Sequence, residues 1–407
     1  MLNDFWVFVS GVMIFIGLLA SEGLLLVVGS LVFVLAIAAR IWERFAFHSV
    51  SHSRTISRQR AFIGDTVDYS ISLDNDKVLP LIWVDIQDTF PEGLELTGAT
   101  MRGTGFEENR QHTITTSLLP YQKATWKYSL ICSQRGYHRI GPVRLRTGDI
   151  FGFSSAETRY NHFDHILVFP KVVDLEGLLF PPEHPSGEIR GSRPVYFDTS
   201  RVMGQRDYQA RDPMKHIDWK ATARARRLQT KVFEPVVSLN ILIVMNGSTR
   251  EHSWQGSNRR LFERTVTVAA SAACLADQRG YTYGVVSNAV ASYTGKWINV
   301  PMGASSKQLS MVLEALAMAA PYVVAPLADV VNAGRDSLPA GTTVILVTPS
   351  LSDSLLEDIA GIRSHGCPVL VLYTGDGLPD RELGEIKVIP MSSILDPLEV
   401  HEPVMAD

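Results

Sequence analysis

Hydrophobic positions are spaced differently in three regions of the chain, and each spacing predicts a different structure. Two continuous apolar runs come first, at residues 5–21 and 23–39, with Glu22 as the charge between them. Each run gives a helix of roughly 25 Å, slightly shorter than the ~30 Å hydrocarbon core of a bilayer. We therefore expect an N-terminal transmembrane helical hairpin that turns at Glu22.

Two other interpretations compete with the hairpin. The first is a secretory signal peptide, but the residues before the first run include Asp4 and neither Lys nor Arg. The second is a single tilted or re-entrant span. For the hairpin, orientation follows from charge, because basic residues favour the cytoplasmic side. The arginines that follow the second run place both termini, and the soluble domains, on the cytoplasmic side of the inner membrane; they are Arg40, Arg44, Arg54, Arg58 and Arg60.

Period-two alternation dominates residues 54–169. Apolar Val67, Tyr69, Ile71 and Leu73 alternate with polar residues, and other short runs repeat the pattern between Gly-rich and Asp-rich turns. Short strands at this spacing predict an antiparallel β-sandwich of about 100 residues.

From residue 239 onward, strand patterns alternate with helix patterns. An apolar run at 239–245 is typical of a strand buried on both faces, and 259–279 has helical periodicity. The alternation continues with strands at 281–286, 342–347 and 368–373 and helices at 306–319 and 352–365. It predicts an α/β doubly wound domain with a parallel sheet.

Changes in the hydrophobic pattern also predict the domain boundaries. They are 1–45 for the hairpin, 50–170 for the sandwich, 171–200 for a linker rich in Pro and Gly, 201–235 for a basic segment, 236–390 for the α/β domain and 391–407 for a loosely attached tail.

Composition narrows the classes of function. The 407 residues are 46% hydrophobic with a net charge of −4, which argues against a globally basic nucleic-acid-binding protein. The three cysteines lie far apart without a CxxC pair, so neither a disulfide framework nor a cysteine zinc site is indicated.

One segment departs from this average charge. Residues 201–231 hold nine Lys and Arg against three Asp. Asp212 before Pro213 is a favourable helix start, and in such a helix Lys215 and Trp219 would share a face. The first interpretation of this segment is a solvated basic face without a partner. The second is a binding surface for an acidic partner protein or for the anionic membrane. Binding to nucleic acid is disfavoured because no nucleic-acid motif accompanies the charge.

The same segment resembles a known family, domain-of-unknown-function family 58 (DUF58), whose members are membrane-anchored bacterial proteins. The resemblance rests on Arg206-Asp207-Tyr208, Asp212-Pro213, His216-Ile217-Asp218-Trp219-Lys220, Ala223-Arg224 and Phe233-Glu234. Arg211 departs from it, because the family commonly has Gly before the Asp-Pro pair.

The resemblance implies a fold and a partner. It implies a C-terminal domain similar to von Willebrand factor A and association with MoxR-type AAA+ ATPases, without an established catalytic activity. Nine signature residues are therefore our candidates for partner binding: Arg206, Asp207, Tyr208, Asp212, His216, Asp218, Trp219, Lys220 and Arg224.

A-type domains usually hold a divalent cation in an Asp-x-Ser-x-Ser loop after the first strand. Here that loop contains Asn246, Ser248 and Arg250, so a neutral amide and a cation stand where a carboxylate and a hydroxyl are needed. Thr348 ends a later strand, where the usual aspartate is missing, and Asp353 follows five residues on. We expect a degenerate loop at Asn246, Ser248 and Asp353 without a tight metal site.

Catalytic patterns are weak. There is no GxSxG, Walker lysine loop or HExxH motif, and Cys274 lies in a predicted helix, as packing residues do. The sequence thus favours a noncatalytic membrane-anchored scaffold or adaptor that uses no cofactor, small-molecule substrate or nucleic acid. A hydrolase, or a weak cation-dependent binding module at the degenerate loop, is the alternative.

Overall fold

The computed structural model describes two compact units, 1–171 and 172–407. The described residues are 2–103, 109–149, 155–175, 196–209, 214–236, 240–250, 256–292, 294–335, 339, 342–364, 367–377 and 386–399. The protein is multidomain and mostly sheet, with apolar helices at its N-terminus.

Two helices begin the first unit: α1 (Leu2–Ala20) and α2 (Gly23–Phe45). Ser21, with φ of 53°, and Glu22 join them. Helix α2 is long and apolar enough to cross a membrane, with mean hydropathy 2.6, whereas the apolar stretch of α1 is shorter. One helix therefore meets the length and composition of a membrane span within the described residues.

Small residues line the contact between α1 and α2. A Cβ atom on Gly29 would lie 3.0 Å from Cγ1 of Ile14, and one on Gly17 would lie 3.1 Å from the backbone N of Leu26. Ser10 and Ala36 are also buried. Large side chains point outward instead, such as Phe8, which is 70% exposed. The backbones approach closely because these glycines lack side chains.

Twelve strands follow in the described part of the first unit. They are β1 (Val50–Ile56), β2 (Arg60–Phe62), β3 (Thr66–Asn75), β4 (Leu81–Pro91), β5 (Leu94–Thr97), β6 (Met101–Gly103), β7 (Asn109–Leu118), β8 (Gln122–Cys132), β9 (Gly136–Ile140), β10 (Val143–Gly148), β11 (Ser155–Tyr160) and β12 (Asp164–Phe169).

These strands form three sheets, in the orders β1-β3-β8-β5, β11-β10-β4-β7-β6 and β2-β12-β9. The alternating residues of β3 point into one core with Ile86 and Phe90 of β4 and Leu145 of β10. Period-two spacing therefore identified the buried face correctly.

A charged network lies within this unit. Arg54 of β1 donates from Nη1 to Oδ1 of Asp88 at 2.9 Å and from Nη2 to the carbonyl of Ile140 at 2.9 Å. The Tyr69 hydroxyl donates to the other oxygen of Asp88. The side chain of Arg54 is 1% exposed, so this arginine belongs to the interior of the first unit.

The second unit starts with a two-stranded ribbon, β13 (Tyr196–Asp207) and β14 (Gln229–Val236). Between them lie a 3-10 turn, Met214–His216, and helix α3 (Trp219–Ala225). Most of the expected linker lies outside the described residues, but β13 already occupies its last positions.

The remaining strands build a seven-stranded sheet with the order β17-β16-β15-β19-β20-β21, with β18 pairing β16. Its strands are β15 (Asn240–Met245), β16 (Thr282–Ala291), β17 (Trp297–Gly303), β18 (Ala319–Val323), β19 (Thr343–Thr348), β20 (Val369–Tyr373) and β21 (Lys387–Pro390). The helices are α4 (Arg259–Gln278), α5 (Gln308–Ala317), α6 (Leu327–Arg335), α7 (Asp353–Ser364) and α8 (Ser392–Glu399).

The sheet is parallel from β16 to β21, whereas β17 and β18 run antiparallel to β16. Leu242 and Val244 of β15 face a core formed with α6 and α7, and the alternate residues of that strand are buried too. Both faces of the sheet are therefore covered. The strands and helices expected between residues 239 and 373 are present, and β17, β18, α6, β21 and α8 are additional.

The C-terminal segment differs from expectation. An edge strand, Lys387–Pro390, ends the α/β domain, and Ser392–Glu399, expected in a loose tail, form a helix. Arg264 of α4, which is 4% exposed, donates to Asp396 of α8 at 2.7 Å, and Leu395 is buried. Packing thus fixes this segment even though its sequence has little periodicity.

Candidate functional site

Helix α3 begins at Trp219 because Asp218 caps it. The Oδ1 atom of Asp218 accepts hydrogen bonds from the backbone N–H groups of Lys220 and Ala221, both at 3.0 Å, and Oδ2 accepts from Gln205 at 3.1 Å. The N–H of Ala221, more than any other group, lowers the pKa of Asp218.

The expected helix start at Asp212 and Pro213 is therefore wrong for α3. Asp212 itself lies outside the described residues. The segment that follows begins with the 3-10 turn Met214–His216, so Lys215 and Trp219 do not share a helical face. The Asp218 cap, which satisfies free N–H groups of the first turn, decides where the helix starts.

Asp207 fixes the ribbon to the end of α3. Its carboxylate accepts from Nε2 of Gln229 and pairs with Arg227 at 3.0 Å. The backbone N–H of Tyr208 donates to the carbonyl of Leu228 at 2.9 Å, and that of Asp218 donates to Gln229 at 2.9 Å. Asp207 and Asp218 thus both have internal partners.

Several exposed side chains of this segment are apolar or basic. Met214 and Trp219 are 72% and 67% exposed, and Lys220 and Arg224 are also exposed. We call these four residues the signature surface. Ile217 and Ala221 are buried, so α3 has one packed side and one free for contact.

Three further signature residues lie beside this surface. The guanidinium of Arg206 donates to the carbonyl of Asp207 at 3.2 Å. The backbone carbonyl of His216 accepts from the Thr230 hydroxyl at 3.3 Å, and Tyr208 is half-buried. The sequence predicted only one of the two apolar residues of this surface. Trp219 belongs to the signature, whereas Met214 does not match any motif.

A second candidate site lies where β15 and β19 end. The Asn246 amide donates from Nδ2 to the Thr348 hydroxyl at 3.1 Å, and its Oδ1 accepts from the N–H of Ser248 at 3.0 Å. Asn288 accepts from the N–H of Gly247 at 2.7 Å. Asn246, Asn288 and Thr348 are all buried. Neutral amides and hydroxyls at this edge therefore bond one another.

Asp353 is exposed, whereas Asn246 is buried at the end of β15. It is the exposed first residue of α7, and the preceding Ser352 hydroxyl accepts from the N–H of Leu355 at 3.3 Å. No group of three or more His, Cys, Asp or Glu suited to a metal ion occurs among the described residues. The donors at Asn246 and Ser248 are neutral, which is a poor match for a hard divalent cation.

Cysteine chemistry is disfavoured by burial. Burial raises the pKa of Cys132 and of Cys274 to about 11, so both remain thiols at neutral pH. The third cysteine, Cys367, is also free and half-buried. Neither thiol with a raised pKa is suited to act as a nucleophile.

The chain is thus a multidomain protein in which a sheet-rich unit with an apolar N-terminal helix precedes a unit with a helix-covered mixed sheet. Residues 204–372 match the family model described as "Protein of unknown function DUF58". Over 327 residues the chain is 26% identical to the "Uncharacterized protein YeaD" of Bacillus subtilis (strain 168), covering 78% of this chain and 75% of that protein. The chain therefore carries a DUF58-family domain at residues 204–372.

Solved structures resemble the chain over smaller parts. Domains D2 and D3 of the major pilin SpaD from Corynebacterium diphtheriae match 30% of this chain with a TM-score of 0.23 and 10% identity; the match spans 56% of that chain. A cohesin module of a Clostridium perfringens family 33 glycoside hydrolase matches 30% of this chain and 98% of its own, with a TM-score of 0.21 and 9% identity. Superpositions this distant carry no functional argument.

Proposed function

We propose that this protein is a noncatalytic scaffold or adaptor, anchored in the membrane, that presents a protein-binding domain to the cytoplasm. One observation carries the proposal. Asp207 and Asp218 have internal partners, whereas Trp219, Lys220 and Arg224 are exposed beside them. Aromatic and arginine side chains of this kind are enriched among the residues that dominate binding energy at protein interfaces.

The arrangement of α1 and α2 supports the anchor. Small residues such as Gly17 and Gly29 lie between the helices, and large apolar ones such as Phe8 and Leu19 face outward. A water-soluble helix pair buries its large apolar residues, whereas helices in lipid pack through small ones. We infer that both helices cross the membrane as a hairpin.

Charge supports the orientation. Arg40 and Arg44 are exposed at the end of α2, and the turn between the helices holds Glu22. The positive-inside rule then puts both termini on the cytoplasmic side of the inner membrane.

The two folded modules have separate roles in the proposal. The sheets of the first unit share one core as a β-sandwich does, and we assign them the role of a rigid spacer or contact module. The parallel strands from β16 to β21, with helices on both faces, support our assignment of the second unit as a doubly wound, von Willebrand factor A-like domain. We assign partner binding to this domain together with the signature surface.

The partner that fits the signature surface is a protein with an acidic docking face. Family resemblance suggests a MoxR-type AAA+ ATPase, which would supply the chemical work that this chain lacks. Electrostatic complementarity would speed the encounter, and Trp219 would supply buried apolar contact. Nucleic acid, cofactors and small-molecule substrates have no part in the proposal.

Copurification from membranes tests the proposal. Membranes containing the full-length chain are crosslinked mildly, and the proteins recovered with it are identified. We expect an AAA+ ATPase with the unaltered chain. Trp219→Ala and Arg224→Glu should each lower recovery more than tenfold, as truncation of a dominant interface residue costs about 2 kcal/mol or more.

Matched variants separate binding from folding. Trp297→Ala removes an exposed tryptophan of β17, and Lys307→Glu reverses an exposed charge before α5. Both should retain the ATPase, since they lie outside the signature surface. Recovery of no ATPase with the unaltered chain, or a hydrolytic activity of the purified protein, would contradict the scaffold.

A further inference from the structure

The end of α2 and the start of β11 enclose a cleft of about 850 Å³ within the first unit. One wall is the last part of α2 with the turn after it, and the other is formed by residues 155–158. The cleft is largely open to solvent, and its volume is sufficient for a headgroup with part of an acyl chain.

Two stripes run along the helical wall. Ile37, Ile41 and Phe45 recur every four residues and form an apolar stripe. A second stripe, with the same spacing and one position away, is basic and contains Arg40 and Arg44, and His48 lines the cleft from the turn after the helix. Residues four apart share a helix face, so the wall is amphipathic, and the apolar members are 38% to 56% exposed.

The opposite wall offers polar groups. Strand β11 lies at the edge of its five-stranded sheet, so its outer backbone N–H and C=O groups have no strand partner among the described strands. The hydroxyl residues Ser155 and Thr158 line the cleft. Glu157 lines it too, but it pairs with Arg144 at 3.0 Å, which offsets its charge.

The cleft lies at the level of the membrane surface if α2 spans the bilayer as proposed above. Helix α2 has 23 residues and is about 34 Å long, somewhat longer than the ~30 Å hydrocarbon core. With Gly23 at the far surface, Arg44 lies about 31 Å along the helix, at the level of the headgroups, and Arg40 lies about 25 Å along it, one turn deeper, from where its long side chain reaches the headgroups. The apolar stripe then continues into the acyl-chain region.

We propose that this cleft binds one anionic phospholipid through its phosphate. Arg40 and Arg44 hold the phosphate, because planar guanidinium groups donate paired hydrogen bonds to its oxygens. The stripe from Ile37 to Phe45 contacts the acyl chain, and the edge of β11 contacts the polar headgroup. Glu43 also lines the cleft, so the local excess of positive charge is small and suits a singly charged headgroup such as phosphatidylglycerol.

Lipid retention by the full-length chain tests the site. The protein is reconstituted in nanodiscs of phosphatidylcholine with increasing phosphatidylglycerol, and native mass spectrometry counts the phosphatidylglycerol retained after release. We expect one retained molecule, and about fivefold weaker retention for Arg44→Gln, the effect of one arginine near a membrane surface. Ser155→Trp, which fills the cleft without changing charge, should lower retention as well.

Arg58→Gln is the matched control, because it removes an exposed arginine of the same region that does not line the cleft. If Arg44→Gln and Arg58→Gln lower phosphatidylglycerol retention equally and Ser155→Trp does not lower it, the lipid is attracted diffusely to the basic surface. That result would overturn the proposal. Inorganic phosphate added to pure phosphatidylcholine nanodiscs should not stabilise the protein against heat. Stabilisation equal to that by phosphatidylglycerol would assign the site to free phosphate and overturn it too.

Failure of the anchor itself would give a different result. A chain that leaves the membrane fraction on alkaline carbonate washing contradicts the spanning hairpin, whatever lipid it retains. A chain that stays membrane-bound but retains no phosphatidylglycerol leaves the anchor intact and contradicts the lipid site.

Discussion

The Nη1 atom of Arg54 lies 2.9 Å from Oδ1 of Asp88, and both side chains are 1% exposed. Burial raises the pKa of the Asp88 carboxyl, against the opposing effects of the Arg54 charge and the Tyr69 hydroxyl. Removing one partner from such a pair leaves the other charge buried without compensation, which is far more costly than losing a surface ion pair.

Arg54→Ala should therefore destabilise the first unit by about 3 kcal/mol or more. The melting temperature of the purified protein, followed by tryptophan fluorescence, should fall by about 10 °C. Arg144→Ala breaks a half-exposed pair with Glu157 and should cost less than about 1 kcal/mol. Similar losses in the two variants would contradict the role given to the buried network.

Acidic pH should destabilise the same unit through His52. Burial, with a smaller effect of the Arg54 charge, lowers the pKa of His52 from 6.5 to about 4. Between these values the unfolded chain binds the proton and the folded chain does not, so the free energy of unfolding falls as pH drops from 6.5 towards 4. Burial also lowers the pKa of His112 and of His138, which adds to the same trend.

His52→Gln should remove the share of the pH dependence that belongs to His52. Between pH 7 and pH 5 the variant should lose about 1 kcal/mol less stability than the unaltered protein, after allowance for partial exposure. Thermal unfolding at the two pH values measures this. His165→Gln, at an exposed position of β12, should behave like the unaltered protein; a pH dependence unchanged by His52→Gln would refute the assignment.

Gly29 should control the packing of α1 on α2. Gly29→Leu would place a side chain where a Cβ atom already meets Ile14 at 3.0 Å, whereas Gly11 has nothing within 4 Å. Cysteine pairs engineered across the two helices should crosslink much less in Gly29→Leu and normally in Gly11→Leu. Equal crosslinking in both variants would show that close helix contact does not depend on Gly29.

The Asp218 cap should position the signature surface. Asp218→Ala removes the acceptor for two N–H groups and should destabilise α3 by about 1 kcal/mol, while Asp218→Asn keeps a capping oxygen. Hydrogen exchange of residues 219–225 should speed up in the first variant and change little in the second. Copurification of the partner should fall in Asp218→Ala and change little in Asp218→Asn, although Trp219 is present in both variants.

Arg264 should hold the C-terminal helix. It donates to Asp396 of α8 and to Asp376 after β20, at 2.7 and 3.4 Å. Arg264→Ala should increase hydrogen exchange throughout α8. Arg260→Ala, which removes a more exposed contact to the same Asp376, should affect α8 much less, and equal exchange in the two variants would count against Arg264 as the main restraint.

Local patterns in the sequence predicted much of the secondary structure. The strand at 239–245 and the helix at 259–279 are observed as Asn240–Met245 and Arg259–Gln278, because hydrophobic spacing directly reflects which face is buried. The signature segment was also recognisable, since its residues are close together in sequence.

The start of α3 was not predicted, because it depends on a contact between segments. The expected start at Asp212 and Pro213 lies outside the described residues, whereas Asp218 caps α3 and donates its backbone N–H to Gln229 of the ribbon. Similarly, residues 387–399 have little pattern of their own, and Arg264 on a distant helix holds them.

By itself, the sequence determined the apolar N-terminal segment, the change from period-two to alternating strand and helix patterns, and the location of the basic signature. The tertiary structure alone decided which charges have internal partners. Arg54 is buried with Asp88, Asp207 is held by Arg227 and Gln229, and Trp219 remains exposed. Spacing along a chain records burial, whereas the partner of a charge is chosen by contacts between residues distant in sequence.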